Sequence, residues 1–341
     1  MKRTGHTAMA AGGRRRAVAW LAPLSIAAGA VGLGSCSTVN VKPASSPIAY
    51  AAIGAGIANP GDSVRPVDTA TGAKGRAITV GTLPSAIALV PRSGFLLVAV
   101  KAQNELVEVS TSSGKVVRRV GVGLEPDAVA VTPDGRLALV ADFGDNALTP
   151  VRLDGFTAGA LVPVGRRPVA LAITPDGSRA LVVNFQDGSL TPVDVAALTT
   201  GAPVPVGPEP TAVAVSPDGS TALVTGFQTS SVTPVALPGL VPQPAVPLGA
   251  NPTGIAVAVG GLVAWVSAGA GITPVTFAGH QVGTAIAIGA PAACLAVARD
   301  GHVWVCSGAG GLVEVDTTTS TIVRTVSLGG LPSAVVIAPR G

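Results

Sequence analysis

The sequence predicts an all-β protein built from one four-stranded unit that repeats along most of the chain. A short alternating run, opened by proline and often closed by a Pro-Asp-Gly turn, recurs with spacings of 42, 42, 42, 42, 39 and 41 residues. Such a fixed period is typical of a repeat architecture. Val, Ala and Leu dominate the apolar residues, and the 44 Gly and 29 Pro suit short strands joined by tight turns. The recurring runs open at Pro84, Pro126, Pro168, Pro210, Pro252, Pro291 and Pro332.

The basic charge of the chain is confined to its first residues. The sequence pI is about 9.3, yet from Cys36 onward 17 basic residues face 18 acidic ones. No segment beyond this point carries the run of Lys and Arg with interleaved aromatics that tracks a phosphate backbone. We therefore expect no nucleic-acid partner.

The first 35 residues have the architecture of an export signal, with a basic segment at 1–16 followed by an uncharged apolar stretch at 17–35. The cluster Arg14 to Arg16 resembles a twin-arginine signal. Leu-Gly-Ser-Cys at 33–36 resembles a bacterial lipoprotein signal, which implies that Cys36 becomes a lipidated N-terminus that anchors the protein to a membrane. A plain secreted product is the alternative. Residues 36–47 are polar and too short to build a core, so they are expected to form a flexible tether.

Each unit is expected to contain four strands. Between 211 and 249 these are TAVAVS, TALVTGF, SVTPVAL and PAVPLG, and the first pair is joined by Pro217, Asp218 and Gly219. Period-2 alternation in the first strand places Ala on one face and larger residues on the other. In the turn, Pro fixes φ, Asp bonds to the backbone and Gly takes the left-handed conformation.

This pattern, P-x-x-V-A-V-S-P-D-G followed by L-V-x-N, V-T-P-V-D and V-x-V-G, resembles the YVTN-type β-propeller repeat over about residues 48–341. Six complete units run from Pro84 to Leu331. The C-terminus then supplies one inner strand, and the segments 49–58, 63–72 and 76–81 supply the other three. Closing a ring this way hides the sheet edges. We therefore predict a single seven-bladed β-propeller of four-stranded antiparallel blades.

Few residues after residue 47 suggest catalysis or metal binding. His280 and His302 have no evident partners, and His302 is too far along its strand from Cys306 to share a metal ion with it. No metal site and no cofactor are predicted. Cys294 and Cys306 flank one hairpin: a three-residue turn would place them opposite each other for a disulfide, and a two-residue turn would leave two buried thiols on opposite faces.

One set of loops is the best candidate for recognition. Phe143, Phe185 and Phe227 occupy the same loop position in three successive units, after the second strand. In a propeller these loops share a face with the links between blades, and we expect an arc of rings with a polar rim, suited to binding a partner. Packing of the rings between blades is the alternative. The links carry Glu125, Arg166, Arg167 and Glu209. The rim carries Asp142, Asp145, Asn184, Gln186, Asp187 and Gln228.

The sequence therefore favours a non-catalytic protein of the cell envelope, expected to be a monomer, that presents a binding face to an envelope protein, peptide or glycan. Propellers of the lactonase and quinoprotein-dehydrogenase-like groups resemble this chain, and such an enzyme is the alternative. The sequence contains no acid/base cluster with histidine and no haem-attachment motif, although carboxylates and arginine could serve a lactonase.

Overall fold

The structure, a computed structural model, describes residues 46–55 and 61–339. The predicted export signal, Cys36 and most of the predicted tether lie outside these residues. No helix in the described part is long and apolar enough to cross a membrane.

The strands follow one another along the chain with short connections. The first twelve are β1 (Ile48–Ala55), β2 (Ser63–Asp68), β3 (Ile78–Thr79), β4 (Pro84–Val90), β5 (Phe95–Val100), β6 (Glu105–Ser110), β7 (Lys115–Gly121), β8 (Pro126–Val131), β9 (Leu137–Asp142), β10 (Ala147–Arg152), β11 (Thr157–Ala158) and β12 (Val162–Pro163). The next ten are β13 (Pro168–Ile173), β14 (Arg179–Asn184), β15 (Ser189–Asp194), β16 (Thr199–Thr200), β17 (Val204–Pro205), β18 (Pro210–Val215), β19 (Thr221–Gly226), β20 (Ser231–Ala236), β21 (Val241–Pro242) and β22 (Val246–Pro247). The last nine are β23 (Pro252–Val257), β24 (Val263–Ala268), β25 (Gly271–Thr276), β26 (Ile286–Ala287), β27 (Ala292–Val297), β28 (Val303–Ser307), β29 (Gly311–Asp316), β30 (Thr321–Ser327) and β31 (Leu331–Ala338). A 3₁₀ turn spans Lys101–Gln103.

These strands form seven antiparallel sheets, which confirms the predicted seven-bladed β-propeller. We number the blades by their inner strands: blade 1 begins at β4, blade 2 at β8, blade 3 at β13, blade 4 at β18, blade 5 at β23 and blade 6 at β27. Blade 7 joins the two ends of the chain, in the order β31, β1, β2, β3 from the axis outward. Ile48 pairs with Ala338 in this blade, so the N-terminal strand closes the ring as predicted.

The Pro-Asp-Gly turns adopt the expected geometry. Gly135 has a φ of 73°, in the left-handed region that glycine tolerates. The Asp134 carboxylate accepts hydrogen bonds from Thr132 Oγ1 (2.5 Å) and Arg136 N (3.0 Å). Blades 3 and 4 repeat this arrangement. The turns therefore set the geometry of the first hairpin in each of these blades.

The core is divided into seven apolar clusters, one at each junction between neighbouring blades. The second strand of each blade is buried almost throughout, because neighbouring blades cover both of its faces. Large apolar residues occupy equivalent positions of the second strand in six blades and are buried there: Leu97, Leu139, Leu181, Leu223, Trp265 and Trp304.

The outermost strand is interrupted in five blades, and this was not predicted. The third strand of blade 2 has Pro150 near its middle, and proline has no N–H to donate to a neighbouring strand. The outer edge therefore pairs only at the two ends of β10, through β11 and β12. The equivalent prolines in the other interrupted blades are Pro66, Pro192, Pro234 and Pro274.

Blades 1 and 6 have glutamate at this position, and each has an outer strand of seven residues. Buried Glu108 receives two hydrogen bonds from Arg118, at 2.6 and 2.7 Å. Buried Glu314 lies 2.5 Å from Arg324 Nε and 2.7 Å from His302 Nδ1. His302 thus has a partner that the sequence did not indicate, and the contact raises the pKa of its imidazole.

Candidate functional site

The loops that carry the three phenylalanines share one end of the propeller with the links between blades, as predicted. Each loop is joined to a link by a backbone hydrogen bond from the phenylalanine N–H. These bonds run from Phe143 N to Glu125 O (3.1 Å), from Phe185 N to Arg167 O (2.9 Å) and from Phe227 N to Glu209 O (2.9 Å). We call this surface, formed by the three rings and the three links, the aromatic face.

The rings lie at the surface of this end instead of filling the space between blades. None of the three belongs to the seven apolar clusters. Phe143 and Phe185 are half-buried, and Phe227 is 37% exposed. Leu124, in the link before blade 2, is 52% exposed beside them and was not identified from the sequence. The aromatic face therefore presents apolar side chains to solvent in three successive blades.

Phe143 is contacted by two cations from neighbouring blades. Lys101 Nζ lies 5.1 Å from the ring centroid, and Arg167 Cζ lies 5.3 Å from it. Both distances are within the range of a cation–π interaction. Lys101 also forms an ion pair with Asp127 at 2.7 Å. This cluster links blades 1, 2 and 3, and its members Lys101 and Asp127 were missed at the sequence level.

The links hold three charged residues in the left-handed backbone conformation. Glu125, Arg167 and Glu209 have φ values of 52°, 54° and 49°, and each precedes a proline. A non-glycine residue in this region carries strain that the surrounding structure must maintain. Asn104 Oδ1 accepts the N–H of Glu125, and Asn146 Oδ1 accepts that of Arg167, both at 2.9 Å. The direction of these side chains is therefore built into the fold.

Two residues predicted for the rim lie beneath it instead. Asp142 and Asn184 end the second strands of blades 2 and 3 and are 0% exposed. Both side chains point toward the third strand of their own blade, where Thr149 donates to Asp142 at 2.6 Å and Asn184 donates to Thr191 at 2.7 Å. A residue at the end of a strand that is covered on both sides cannot reach the rim.

Asp145 and Asp187 hold the links in place. Asp145 accepts the backbone N–H of Leu124 at 2.6 Å, and Asp187 accepts that of Arg166 at 2.7 Å. Asp187 also pairs with the Arg166 side chain at 2.5 Å. The carboxylates of Glu125 and Glu209 have no such partner among the described residues. On the aromatic face, these two carboxylates are therefore left without an ion-pair partner from the described chain.

A cleft of about 460 Å³ lies between blades 3 and 4 on this face. Five of the predicted residues line it, and prolines of the links complete its walls. The five are Phe185, Gln186, Asp187, Glu209 and Gln228. The cleft thus joins an aromatic ring with amide and carboxylate groups, a mixture that can bind both apolar and polar parts of a partner.

The remaining candidates lie away from this face. Cys294 and Cys306 are joined by a disulfide with a Cα–Cα distance of 4.9 Å, and a bulge in the hairpin allows them to face each other. His280 is in a left-handed turn at the opposite end of its blade. No group of three or more His, Cys, Asp or Glu residues in the described chain could hold a metal ion.

No protein-family model and no curated protein matches the sequence. Solved structures do resemble the fold. A functionally unknown protein of Desulfotomaculum acetoxidans is 15% identical with a TM-score of 0.78, and the match covers 87% of this chain and 100% of that one. A putative 6-phosphogluconolactonase of Bacteroides uniformis is 16% identical with a TM-score of 0.68, and the match covers 86% of this chain and 100% of that one. Virginiamycin B lyase of Staphylococcus aureus is 12% identical with a TM-score of 0.63, and the match covers 72% of this chain and 84% of that one. These structural matches establish the propeller fold, and sequence identities this low leave the activity open.

Proposed function

We propose that the protein is a non-catalytic binding protein of the cell envelope, and that its aromatic face captures a polypeptide segment of an envelope partner. The observation that carries the proposal is the position of three phenylalanine rings, two half-buried and one exposed, at equivalent places in successive blades and outside every apolar cluster. Exposed rings in a patch are characteristic of recognition surfaces, where they act as anchors.

The charges of the face favour a particular kind of segment. Glu125 and Glu209 have no ion-pair partner in the described chain, whereas Arg166 is paired and Arg167 contacts Phe143. A segment with alternating apolar and basic side chains would place its apolar side chains on the rings and its basic side chains near the two carboxylates. The strained link backbone fixes these groups before binding, which reduces the entropy that binding would otherwise cost.

The proposal can be tested by photo-crosslinking in intact cells. A photoreactive residue at exposed Gln228 is expected to capture a partner, and one at exposed Ser178, in a turn at the other end, is expected to capture none. The variant Phe143→Ser/Phe185→Ser/Phe227→Ser should lose the captured partner and keep its melting temperature. A large fall in melting temperature would instead assign the rings to packing between blades.

The membrane anchor is part of the proposal and has a separate test. If Cys36 is lipidated, the mass of the mature protein will correspond to a chain that begins at this cysteine and carries acyl groups. Substituting Cys36 by Ser should then release the protein from the membrane fraction. An unmodified mature N-terminus at any other residue would rule out the lipoprotein assignment.

A lactonase is the second candidate, suggested by one buried carboxyl group with a raised pKa. Burial raises the pKa of Asp142 to about 7, a value suited to a general base. Gly123 covers this carboxylate, since a Cβ on Gly123 would lie 2.6 Å from Asp142 Cγ. Substrate therefore has no direct access to Asp142. Turnover of a panel of lactones that is abolished by Asp127→Asn, at the ion pair beside Phe143, would favour the enzyme over the binding protein.

A further inference from the structure

A second cleft lies at the other end of the propeller, between blade 7 and blade 1, and has a volume of about 1200 Å³. It exists because Pro66 interrupts the edge of blade 7, where β3 has only two residues and residues 69–77 form a loop instead of a strand. The facing wall is the turn between β6 and β7 in blade 1. This cleft shares no residue with the aromatic face.

Cations from both walls line the cleft. Lys74 and Arg76 come from the loop of blade 7, and Lys115 comes from the turn of blade 1. All three are exposed, and none has an ion-pair partner among the described residues. Among the described residues of the lining, Asp68 is the one acid, and its Oδ1 accepts the backbone N–H groups at residues 70 and 71. A chain that is nearly neutral beyond residue 35 thus concentrates positive charge at this place.

The loop that carries two of the cations is held by hydrogen bonds. Arg65 Nη1 donates to Gly75 O at 3.2 Å, and Gly75 N donates to Pro66 O at 2.8 Å. Arg324 Nη1, from blade 6, donates to Ala70 O at 2.8 Å. The backbone of the loop is therefore fixed before any ligand binds, which limits the entropy lost on binding.

The turn on the other wall is fixed in the same way and presents hydroxyl groups. Thr111 Oγ1 donates to Gly94 O at 2.8 Å, and Ser110 Oγ lies 3.1 Å from Ser112 Oγ. Between the walls, Ile48 and Ile78 of the apolar cluster between blades 7 and 1 form an apolar floor. The cleft therefore combines an apolar floor, a hydroxyl-bearing wall and a rim of three cations.

We propose that this cleft binds an acidic oligosaccharide, with carboxylate or phosphate groups on successive sugars. The apolar floor suits the faces of sugar rings, the hydroxyl groups suit their ring substituents, and cations on both walls suit anions spaced along an extended ligand. The volume is above the usual range of small-ligand pockets and accommodates several sugar units. This proposal is independent of the function proposed for the aromatic face.

Binding is tested on the full chain carrying Cys36→Ser, so that no lipid contributes. The probes are a galacturonic acid hexamer and a neutral galactose hexamer, measured by calorimetry at low and at physiological ionic strength. We expect the acidic hexamer to bind, its affinity to fall with salt, and the neutral hexamer to bind much more weakly. Equal binding of the two hexamers, or binding of neither, would overturn the proposal.

A pair of charge-matched variants locates the site. Lys74→Glu/Arg76→Glu/Lys115→Glu should weaken binding of the acidic hexamer by about tenfold or more, because three favourable charge contacts become repulsive. The control replaces three exposed arginines on turns at the same end that do not line the cleft. It is Arg92→Glu/Arg136→Glu/Arg299→Glu, and it should change the affinity less than about twofold.

Equal losses in the two triple variants would show that net charge alone attracts the hexamer, and would refute a specific cleft. Sedimentation with vesicles of equal parts phosphatidylcholine and phosphatidylglycerol gives the remaining outcome. If the Cys36→Ser chain binds these vesicles through the same three cations and does not bind the hexamer, the surface contacts a membrane and the oligosaccharide proposal is wrong. Unchanged circular dichroism and melting temperature confirm that each variant is folded.

Discussion

Asp142→Asn is expected to stabilise the protein at neutral and alkaline pH. Asp142 is fully buried, and burial, with a smaller contribution from nearby Asp145, raises the pKa of its carboxyl group from 3.8 to about 7. The next blade shows that the amide fits this place. Asn184 occupies the equivalent position, and its Nδ2 donates to Thr191 Oγ1 at 2.7 Å. The equivalent hydroxyl in blade 2 belongs to Thr149, which already contacts Asp142.

The sign and size of the stability change follow from the thermodynamic linkage between protonation of Asp142 and folding. Between about pH 4 and pH 7 the folded chain keeps a proton on Asp142 that the unfolded chain has lost. Stability is therefore greatest below the unfolded pKa and is lost as the pH rises through the folded pKa. A shift of about three units at about 1.4 kcal/mol per unit sets an upper value of about 4 kcal/mol. Since the amide cannot ionise, the variant should recover about 2–4 kcal/mol at about pH 8 and little at about pH 4.

Chemical unfolding of the wild type and the variant across this pH range measures the difference directly. Because other groups, including His302, also titrate, the test is the difference between the two proteins and not the slope of either. Asn184→Asp is the reciprocal control and should destabilise the protein at about pH 8 and recover toward about pH 4. If Asp142→Asn gives the same difference at every pH, the carboxyl group does not carry the raised pKa and the reasoning fails.

Three further predictions concern the packing of the blades. Glu314→Gln should lower the free energy of unfolding, measured in urea titrations, by about 2 kcal/mol. This loss should shrink as the pH rises through the raised pKa of His302. A loss that grows with pH would contradict the pairing of Glu314 with protonated His302. Gly123→Ala should cost about 1–3 kcal/mol of stability in thermal unfolding, because the new Cβ would lie 2.6 Å from Asp142 Cγ. The control Gly121→Ala, whose Cβ would have no atom within 4 Å, should cost almost nothing. Cys306→Ser should cost about 2–3 kcal/mol by opening the disulfide, and free thiols at both Cys294 and Cys306 in the denatured, unreduced wild type would rule this out.

The blade count and the ring closure were predictable because both follow from counting. The period fixes one unit, and the strands missing at the C-terminus are supplied at the N-terminus, as Ile48 and Ala338 show by pairing. The broken outer strands were also present in the sequence, in the recurring Thr-Pro-Val of the third strand. They were missed because the outer segments alternate like strands, although Pro150 removes the N–H on which continuous pairing depends.

The aromatic face was only partly predictable. The period showed that Phe143, Phe185 and Phe227 share a loop, and antiparallel topology placed these loops beside the links. The burial of Asp142 and Asn184 was not evident, because alternation does not distinguish the two sides of a strand that is covered on both. Lys101 was missed because it comes from another blade, and a period relates equivalent positions instead of neighbouring ones. Arg167 was identified as a link residue, but its contact with Phe143 was not.

A belt of hydroxyl groups near the axis indicates which blades depart from the repeat. Serine or threonine in the inner strand donates to a carbonyl of the next blade at four junctions: Ser85 to Pro126 O (2.6 Å), Thr211 to Pro252 O (3.1 Å), Thr253 to Ala292 O (2.9 Å) and Ser333 to Pro84 O (2.6 Å). Blades 2, 3 and 6 have Asp127, Val169 and Ala293 at this position instead. Asp127 pairs with Lys101, which contacts Phe143.

These departures matter because identical units cannot make a single site. A residue that every blade repeats serves the geometry of the ring, so a site for one ligand has to use residues that only some blades carry. The aromatic face meets this condition at blades 2, 3 and 4, whose loops carry Phe143, Phe185 and Phe227, and the cationic cleft meets it at blade 7, whose outer loop carries Lys74 and Arg76. Since the two sites lie at opposite ends of the ring, charge reversal in the cleft should leave crosslinking at Gln228 unchanged, and serine substitution of the rings should leave binding of the acidic hexamer unchanged. Loss of both activities in either variant would mean that the two ends are coupled through the blades, in conflict with the separate clusters that pack each junction.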